Sequence, residues 1–315
     1  MELYTFDVIR HSPRGAAGED AFCHDFSRPE QHMLAVFDGC GGLGAWVYQH
    51  YAGQTGAFVA AQTVAEAALN WARNAPEELR EAAESFRDAM TAALAERMAE
   101  TDETPGVVGT MVRAFPCTCS LALVRKAEEN ALDVLALQCG DSRVYALTPG
   151  RGLWQLTRDD LRGQPDPMKN LRAGAALSQM LNAELPFRVT ARRFRLTQPC
   201  AVLCATDGFF GAVRSPMDFE LLLLESLCAD RSLAGNGLRE KVAEGASDDA
   251  TAVLALYGFA DRESLRACLQ PRLEHVQTLT RRMDDGETPE QVWESYKAES
   301  LAGDDEGERY VTVDR

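Results

Sequence analysis

The sequence predicts an α+β chain in which antiparallel sheets carry helices on their outer faces. Short apolar runs rich in Val and Leu, separated by turn signals, follow one another as meanders between residues 118 and 157 and again between 189 and 205. Two long tracts, about 44–74 and 76–101, place apolar residues at helical spacing, as at Phe86, Met90, Leu94 and Met98. Hydrophobic residues make up 46% of the 315, enough for a substantial core.

Residues 3–9 alternate and predict a strand; Gly15–Gly18 is a loop and Met33–Asp38 a second strand. The two helical tracts follow, divided at Pro76, and Thr101–Gly109 is a loop. Thr118–Arg125 and Leu132–Gln138 pair as a hairpin across Lys126–Ala131, and Val144–Leu147 and Trp154–Thr157 extend it around Pro149-Gly150. Gly163, Pro165 and Pro167 make Asp160–Asn170 a loop, with a helix expected around Ala173–Leu181. Val189–Leu196 and Ala201–Ala205 are strands, Phe219–Cys228 a helix and Thr251–Tyr257 the last strand. After about residue 260 the character changes. Arg262–Met283 and Pro289–Leu301 are helical tracts, the second with Val292, Trp293 and Tyr296 at helical spacing, and Ala302–Glu308 has the acidic composition of disorder. The expected division is a main domain over 1–259 and a C-terminal helical extension with an acidic tail over 260–315.

A net charge of −16 argues against a nucleic-acid partner held by counterion release and against an anionic membrane surface. It suits an acidic cleft that gathers divalent cations. The nine cysteines are odd in number, and Cys117, Cys119, Cys139, Cys200 and Cys204 lie inside apolar runs, where a thiol packs as a small hydrophobe. Cys117-x-Cys119 could put two thiols on one strand face, but no Cys-x-x-Cys or His-x₃-His stands near it. No signal peptide is evident, the stretch around Ala57–Trp71 is amphipathic, and a cytoplasmic location is expected.

The candidate chemistry lies in four aspartates. Asp38 and Asp207 close apolar runs, Asp141 follows one through Cys139-Gly140, and Asp248 precedes one. If the last strand runs antiparallel to the others, all four meet at one edge of a sheet. Clustered carboxylates repel and need a cation to stay ionised together. Oxygen-only ligands suit Mg²⁺ or Mn²⁺. Taken singly, Asp38-Gly39 and Asp207-Gly208 are turn signals first.

Their order and surroundings carry more weight. The chain reads Gly-Glu-Asp-Ala-Phe at Gly18–Phe22, Phe-Asp-Gly-Cys-Gly-Gly at Phe37–Gly42 and Cys-Gly-Asp-Ser-Arg-Val-Tyr at Cys139–Tyr145. Then come Leu-Thr-Arg-Asp-Asp at Leu156–Asp160, Ala-Thr-Asp-Gly-Phe-Phe at Ala205–Phe210 and Ser-Asp-Asp-Ala-Thr at Ser247–Thr251. This series resembles the bacterial-type members of the PPM family of metal-dependent protein phosphatases, the type 2C serine/threonine phosphatases, over about residues 1–258.

The resemblance sharpens the fold to two stacked antiparallel β-sheets flanked by α-helices, four layers in all. It implies hydrolysis of phosphoserine and phosphothreonine on proteins by a hydroxide bridging two divalent cations, Mg²⁺ or Mn²⁺, with a weak third. Asp38 matches the bridging ligand and Gly39 offers its carbonyl; Asp207 and Asp248 match the other ligands of the first ion, and Glu19 and Asp20 the acidic pair near the second. Asp141 matches a ligand of the third. Arg14 matches the phosphate clamp, one residue further from the acidic pair than is usual, with Arg10 as the other candidate. A phosphorylated protein is the implied substrate and a cognate Ser/Thr kinase the implied counterpart.

Two departures stand out. Cys40 lies where many relatives have histidine, and Gly211 where a third-ion aspartate is usual; a tight turn of positive φ would be the other reason for that glycine. They feed an alternative reading as a catalytically weak phosphatase-like domain that binds a phosphoprotein or another partner. A nucleophilic Cys40 lacks a Cys-x₅-Arg loop, since the position after the spacer is Trp46. Gly39-x-Gly41-x-x-Gly44 fits a dinucleotide fingerprint only in a βαβ unit, and two long helices follow it instead.

Overall fold

The structure, a computed structural model, describes residues 1–15, 18–103, 113–128, 130–162, 176–229, 237–300 and 309–313. Its strands form two large sheets. One joins β1 (Leu3–His11), β12 (Ala250–Tyr257), β11 (Cys200–Ala205), β8 (Arg143–Thr148) and β9 (Gly152–Gln155) in that order. The other runs β13 (Arg309–Val313), β10 (Val189–Leu196), β7 (Ala131–Cys139), β6 (Cys119–Ala127), β3 (Gln31–Phe37) and β2 (Ala21–Arg28). Every neighbouring pair is antiparallel.

The alternation of side chains along each strand builds the layers. From the six-stranded sheet Leu34, Val36, Ala122, Val124, Val134 and Ala136 point inward and meet Val144, Ala146, Val202, Cys204, Val253 and Ala255 of the five-stranded sheet. The intervening residues Met33, Ala35, Leu121, Leu123, Leu135 and Leu137 face outward and pack against α1 (Gly56–Ala72) and α2 (Leu79–Ala99). On the far side Leu147, Leu203, Leu254 and Leu256 pack against α4 (Pro216–Cys228) and α6 (Arg262–Asp284). Strands covered on both faces read as unbroken apolar runs, as β12 does. The expected four-layer α+β architecture is therefore found.

Local chemistry starts the helices. Thr55 accepts the Phe58 N–H at α1, Ser215 accepts the Asp218 N–H at α4 with Pro216 next, and Asp261 and Ser264 form a capping box at α6. Two expectations need correction, and one strand was not expected. Residues 44–55 are not helical: they hold turns and the hairpin of β4 (Val47–Tyr48) and β5 (Gln54–Thr55), with Ala52 and Gly53 at positive φ, and α1 begins only at Gly56. Ala21–Arg28, given no element in the sequence analysis, is the edge strand β2. The helix expected at Ala173–Leu181 lies in part outside the described residues, and 176–181 are not helical; Leu181 instead exchanges two backbone hydrogen bonds with Cys117, at 2.9 and 3.0 Å. The acidic stretch 302–308 lies outside the described residues, as do 163–170 of the expected loop.

The short helices α3 (Asp207–Phe210) and α5 (Leu238–Gly245) complete the body. Beyond it, α6 lies on α4, and α7 (Pro289–Ser300) adds Val292, Trp293 and Tyr296 to a cluster with Met217 and Leu279. Then β13 pairs with β10 from Val189↔Val313 to Arg193↔Arg309. No helix among the described residues is long and apolar enough to cross a membrane.

Candidate active site

The acidic residues gather at one end of the sandwich, drawn from both sheets. Asp38 follows β3 directly, and its carbonyl accepts the Thr118 N–H at 2.8 Å. Asp141 sits in the turn that carries the chain from β7 to β8, across Gly140 at φ 103°. Asp207 opens α3 just after β11, and Asp248 and Asp249 lead into β12, antiparallel to β11. The single sheet edge expected from the sequence is thus replaced by the seam between two sheets. Stacking puts the end of β3 over the ends of β11 and β12.

Glu19 and Asp20 enter from the loop before β2 and are buried, 3% and 2% exposed. The Glu19 N–H donates to Asp249 Oδ2 at 2.6 Å, and its Oε1 accepts the Thr55 hydroxyl at 2.5 Å. Asp20 Oδ2 accepts the Thr206 hydroxyl at 2.9 Å. Glycine permits the crowding. A Cβ on Gly39 would stand 2.8 Å from the carbonyls of Ala57 and Glu19, and one on Gly41 would collide with Glu19 Oε2.

Arg14 lies within this cluster. Its Nη1 donates to Glu19 Oε2 at 3.0 Å, and its Nη2 to Asp248 Oδ1 at 2.9 Å and Asp249 Oδ2 at 3.5 Å. Arg10 takes another course: it donates to the Asp20 carbonyl at 3.1 Å and lies over the Phe22 ring.

Burial and mutual repulsion dominate the electrostatics. Burial first, then Asp207, Asp20, Asp141 and Asp248, pushes Asp38 well above the usual carboxylate range. Burial pushes Asp20 up to about 7 against its hydroxyl hydrogen bonds, with Asp249 and Asp207 adding to it. Asp141 rises to about 7 through burial, with Asp207 and Asp159 contributing, and burial raises Asp207 too. The sequence-derived residues Arg14, Glu19, Asp20, Asp38, Asp141, Asp207 and Asp248 thus share one electrostatic neighbourhood.

Among the described residues no three acidic, histidine or cysteine side chains stand close enough to enclose an ion. The donor set nevertheless fits a hard cation. It is all oxygen, its members repel, and the buried Asp20 Oδ1 and Asp249 Oδ1 have no hydrogen-bond partner. A guanidinium already stands between three of the carboxylates.

The two departures have physical readings. Burial and the nearby Asp38 push the Cys40 thiol well above its ordinary value, so it stays protonated and is a poor nucleophile. Gly211 has φ −77° and donates to the Asp207 carbonyl at 2.7 Å, so no positive-φ turn explains it.

Several site residues escaped the sequence analysis. Asp249, 4% exposed, is the inward partner of the exposed Asp248; the doublet was visible, but not which member turns inward. Thr55 and Thr206 orient Glu19 and Asp20. Arg143 is buried and paired with Asp159, Nε to Oδ1 at 2.9 Å and Nη2 to Oδ2 at 2.6 Å, and lies 4.0 Å over the Phe210 ring of α3. Asp160 Oδ2 accepts the Gly140 N–H at 3.0 Å beside Asp141.

A family model described as Protein phosphatase 2C matches residues 9–243. Among solved structures, serine/threonine phosphatase Stp1 from Staphylococcus aureus is similar with a TM-score of 0.57 at 18% identity, covering 82% of this chain and 98% of that one. The catalytic domain of serine threonine protein phosphatase PstP, in complex with 2 manganese ions, is similar at a TM-score of 0.54 and 20% identity, covering 81% and 99%. PppA, described as a key regulatory component of T6SS in Pseudomonas aeruginosa, is similar at 0.53 and 18%, covering 82% and 100%. No curated protein matches the chain.

Proposed function

Because the chain belongs to the protein phosphatase 2C family, we propose that it hydrolyses phosphoserine and phosphothreonine esters on proteins with two divalent cations, Mn²⁺ or Mg²⁺. The observation that carries this reading is the meeting of Asp38, Asp207 and Asp20 at the seam between the sheets, each raised by burial and by its acidic neighbours. The manganese-loaded PstP domain supports the choice of ion.

Asp38, Asp207 and Asp248 would hold the first ion, with Asp38 shared with the second, the Gly39 carbonyl a further ligand, and Glu19 and Asp20 near the second; Asp141 would serve a weak third. Bound there, the ions would supply a water of lowered pKa as nucleophile and offset charge on the phosphoryl oxygens. The protein holds the cluster in place: Thr206 fixes Asp20, Thr55 fixes Glu19, and Gly39 and Gly41 let the chain lie against Glu19. The Arg14 fork matches two phosphoryl oxygens once it leaves its carboxylates. Cys40 keeps its proton and is not assigned the attack.

The test is release of phosphate from p-nitrophenyl phosphate and from phosphothreonyl peptides with and without Mn²⁺. Asp38→Asn should abolish metal-dependent turnover while keeping the wild-type melting temperature; wild-type-like turnover in that variant sinks the reading. Cys40 and Gly211 favour the second reading, a weak phosphatase-like binder. Phosphopeptide binding by the wild type with no turnover at any metal concentration would select it.

A further inference from the structure

We infer that Arg14 is the resident counter-ion of the carboxylate cluster, so that Arg14 and divalent metal compete for the same carboxylates. The inference rests on the metal-binding reading above. The Arg14 guanidinium reaches Glu19 Oε2 with one nitrogen, and Asp248 Oδ1 and Asp249 Oδ2 with another. These acids come from chain segments about 230 residues apart, the loop before β2 and the entry to β12. Glu19 and Asp249 are buried side by side, with the Glu19 N–H on Asp249 Oδ2. Without a positive group, two buried carboxylates would face each other at that joint.

The position is selective. Arg10 also reaches this end of the sheet, yet its described contacts are a backbone carbonyl and a ring, not a carboxylate. Arg14 alone of the two adds its charge to the acids that would bind metal.

A guanidinium and a divalent ion compete at these carboxylates, because a cation on Glu19 Oε2 or Asp248 Oδ1 draws on the electron pairs that Arg14 uses and repels its charge. Metal entry therefore displaces Arg14. The Arg14 side chain is 48% exposed, so it can swing outward without opening the core. Once displaced, its fork is free for a phosphate. Linkage makes the effect reciprocal: whatever draws Arg14 off the acids favours metal, and metal favours that partner. A residue serving only as phosphate clamp would leave metal affinity unchanged when no phosphate is present.

The test is calorimetric titration of the full chain with Mn²⁺ in phosphate-free buffer, with thermal melting of the metal-free protein alongside. Arg14→Gln should bind Mn²⁺ about 3- to 10-fold more tightly than wild type, the scale of a few partly exposed ion pairs. Its metal-free form should melt lower. Arg14→Lys, which keeps the charge but loses the fork, should fall between, and it carries the comparison if Arg14→Gln does not fold. Arg10→Gln should bind Mn²⁺ as wild type does. Unchanged or weaker Mn²⁺ binding in a folded Arg14 variant overturns the inference and leaves the proposed hydrolysis standing. A wild-type protein that binds no Mn²⁺ overturns both.

Discussion

At Gly211 the backbone dihedral suits any residue, but the space beside it does not. Its φ of −77° is ordinary helical geometry. A Cβ there would stand 2.6 Å from the Asp207 backbone carbonyl, inside van der Waals contact, so the backbone at the end of α3 would have to shift to admit it. Gly211→Asp should therefore melt lower than wild type, and its folded form sets a carboxylate about one turn after Asp207. It should lower the Mn²⁺ concentration needed for full activity. A stable variant with unchanged metal dependence refutes a weak third position. Asp20 and Asp141 carry the pH argument. Each is raised to about 7 in the metal-free fold, against about 3.9 in the unfolded chain. Below about 3.9 their contribution to stability is fully present, and it is lost as pH rises through about 7. Metal binding there would ionise them, so at pH 6.5 Mn²⁺ binding should release protons, read as a dependence of the binding heat on the buffer's ionisation enthalpy. No such dependence would contradict the assignment of these acids to the metal. The acids at strand ends were legible in the sequence because apolar runs point to them. Asp249, Thr55 and Thr206 were not, because their role lies in contacts made across long stretches of chain.

Elements show the same division. The hairpin of β6 and β7 and the strand β12 were readable, since burial on both faces makes them continuous apolar runs. The strand β2 was not: it is an edge strand, and Phe22, His24 and Phe26 alternate with Cys23, Asp25 and Ser27 at intermediate or exposed positions, so no apolar run marks it. Residues 44–55 keep apolar spacing, yet glycine and positive φ hold them as turn and hairpin, which also brings Thr55 to Glu19. The Arg143–Asp159 pair joins the entry of β8 to the segment after β9, and through Phe210 to α3, which bears Asp207. Both side chains are nearly inaccessible. Breaking one half leaves a buried charge without its partner, at a cost of about 3–5 kcal/mol. Asp159→Ala should lower the unfolding free energy by about that amount in denaturant melts. A loss below about 1 kcal/mol, the range of exposed pairs, would mean the pair is not buried in solution.

For the whole molecule the question is whether residues beyond 259 are a separable extension. The carboxylates all precede that point, which is why the sequence suggests a boundary there. In the structure the later helices cover part of the core. Leu265, Leu269, Leu273 and Val276 of α6 are buried against Leu222, Leu223 and Leu254. Each such side chain contributes about 2 kcal/mol through burial. Arg272 clamps the fully buried Glu220 of α4, Nε to Oε1 at 2.7 Å and Nη2 to Oε2 at 2.9 Å, and the Tyr296 hydroxyl joins the same carboxylate. Truncation after Phe259 would strip the apolar cover and leave Glu220 without its cation, and β10 would lose β13 as its neighbour at the sheet edge. The truncated protein should therefore melt at least 10 °C lower, as a loss of several kcal/mol implies for a chain of this size. Any fraction that stays folded should hydrolyse a small aryl phosphate within a few-fold of the full chain, because no ligand carboxylate is removed. Arg272→Met isolates the buried pair: it keeps the apolar cover and should reproduce part of the destabilisation without touching the site. A truncation that melts like the full chain would show that α6 does not seal the core in solution. A folded truncation with no activity would place a catalytic contribution beyond residue 259, where the geometry assigns none.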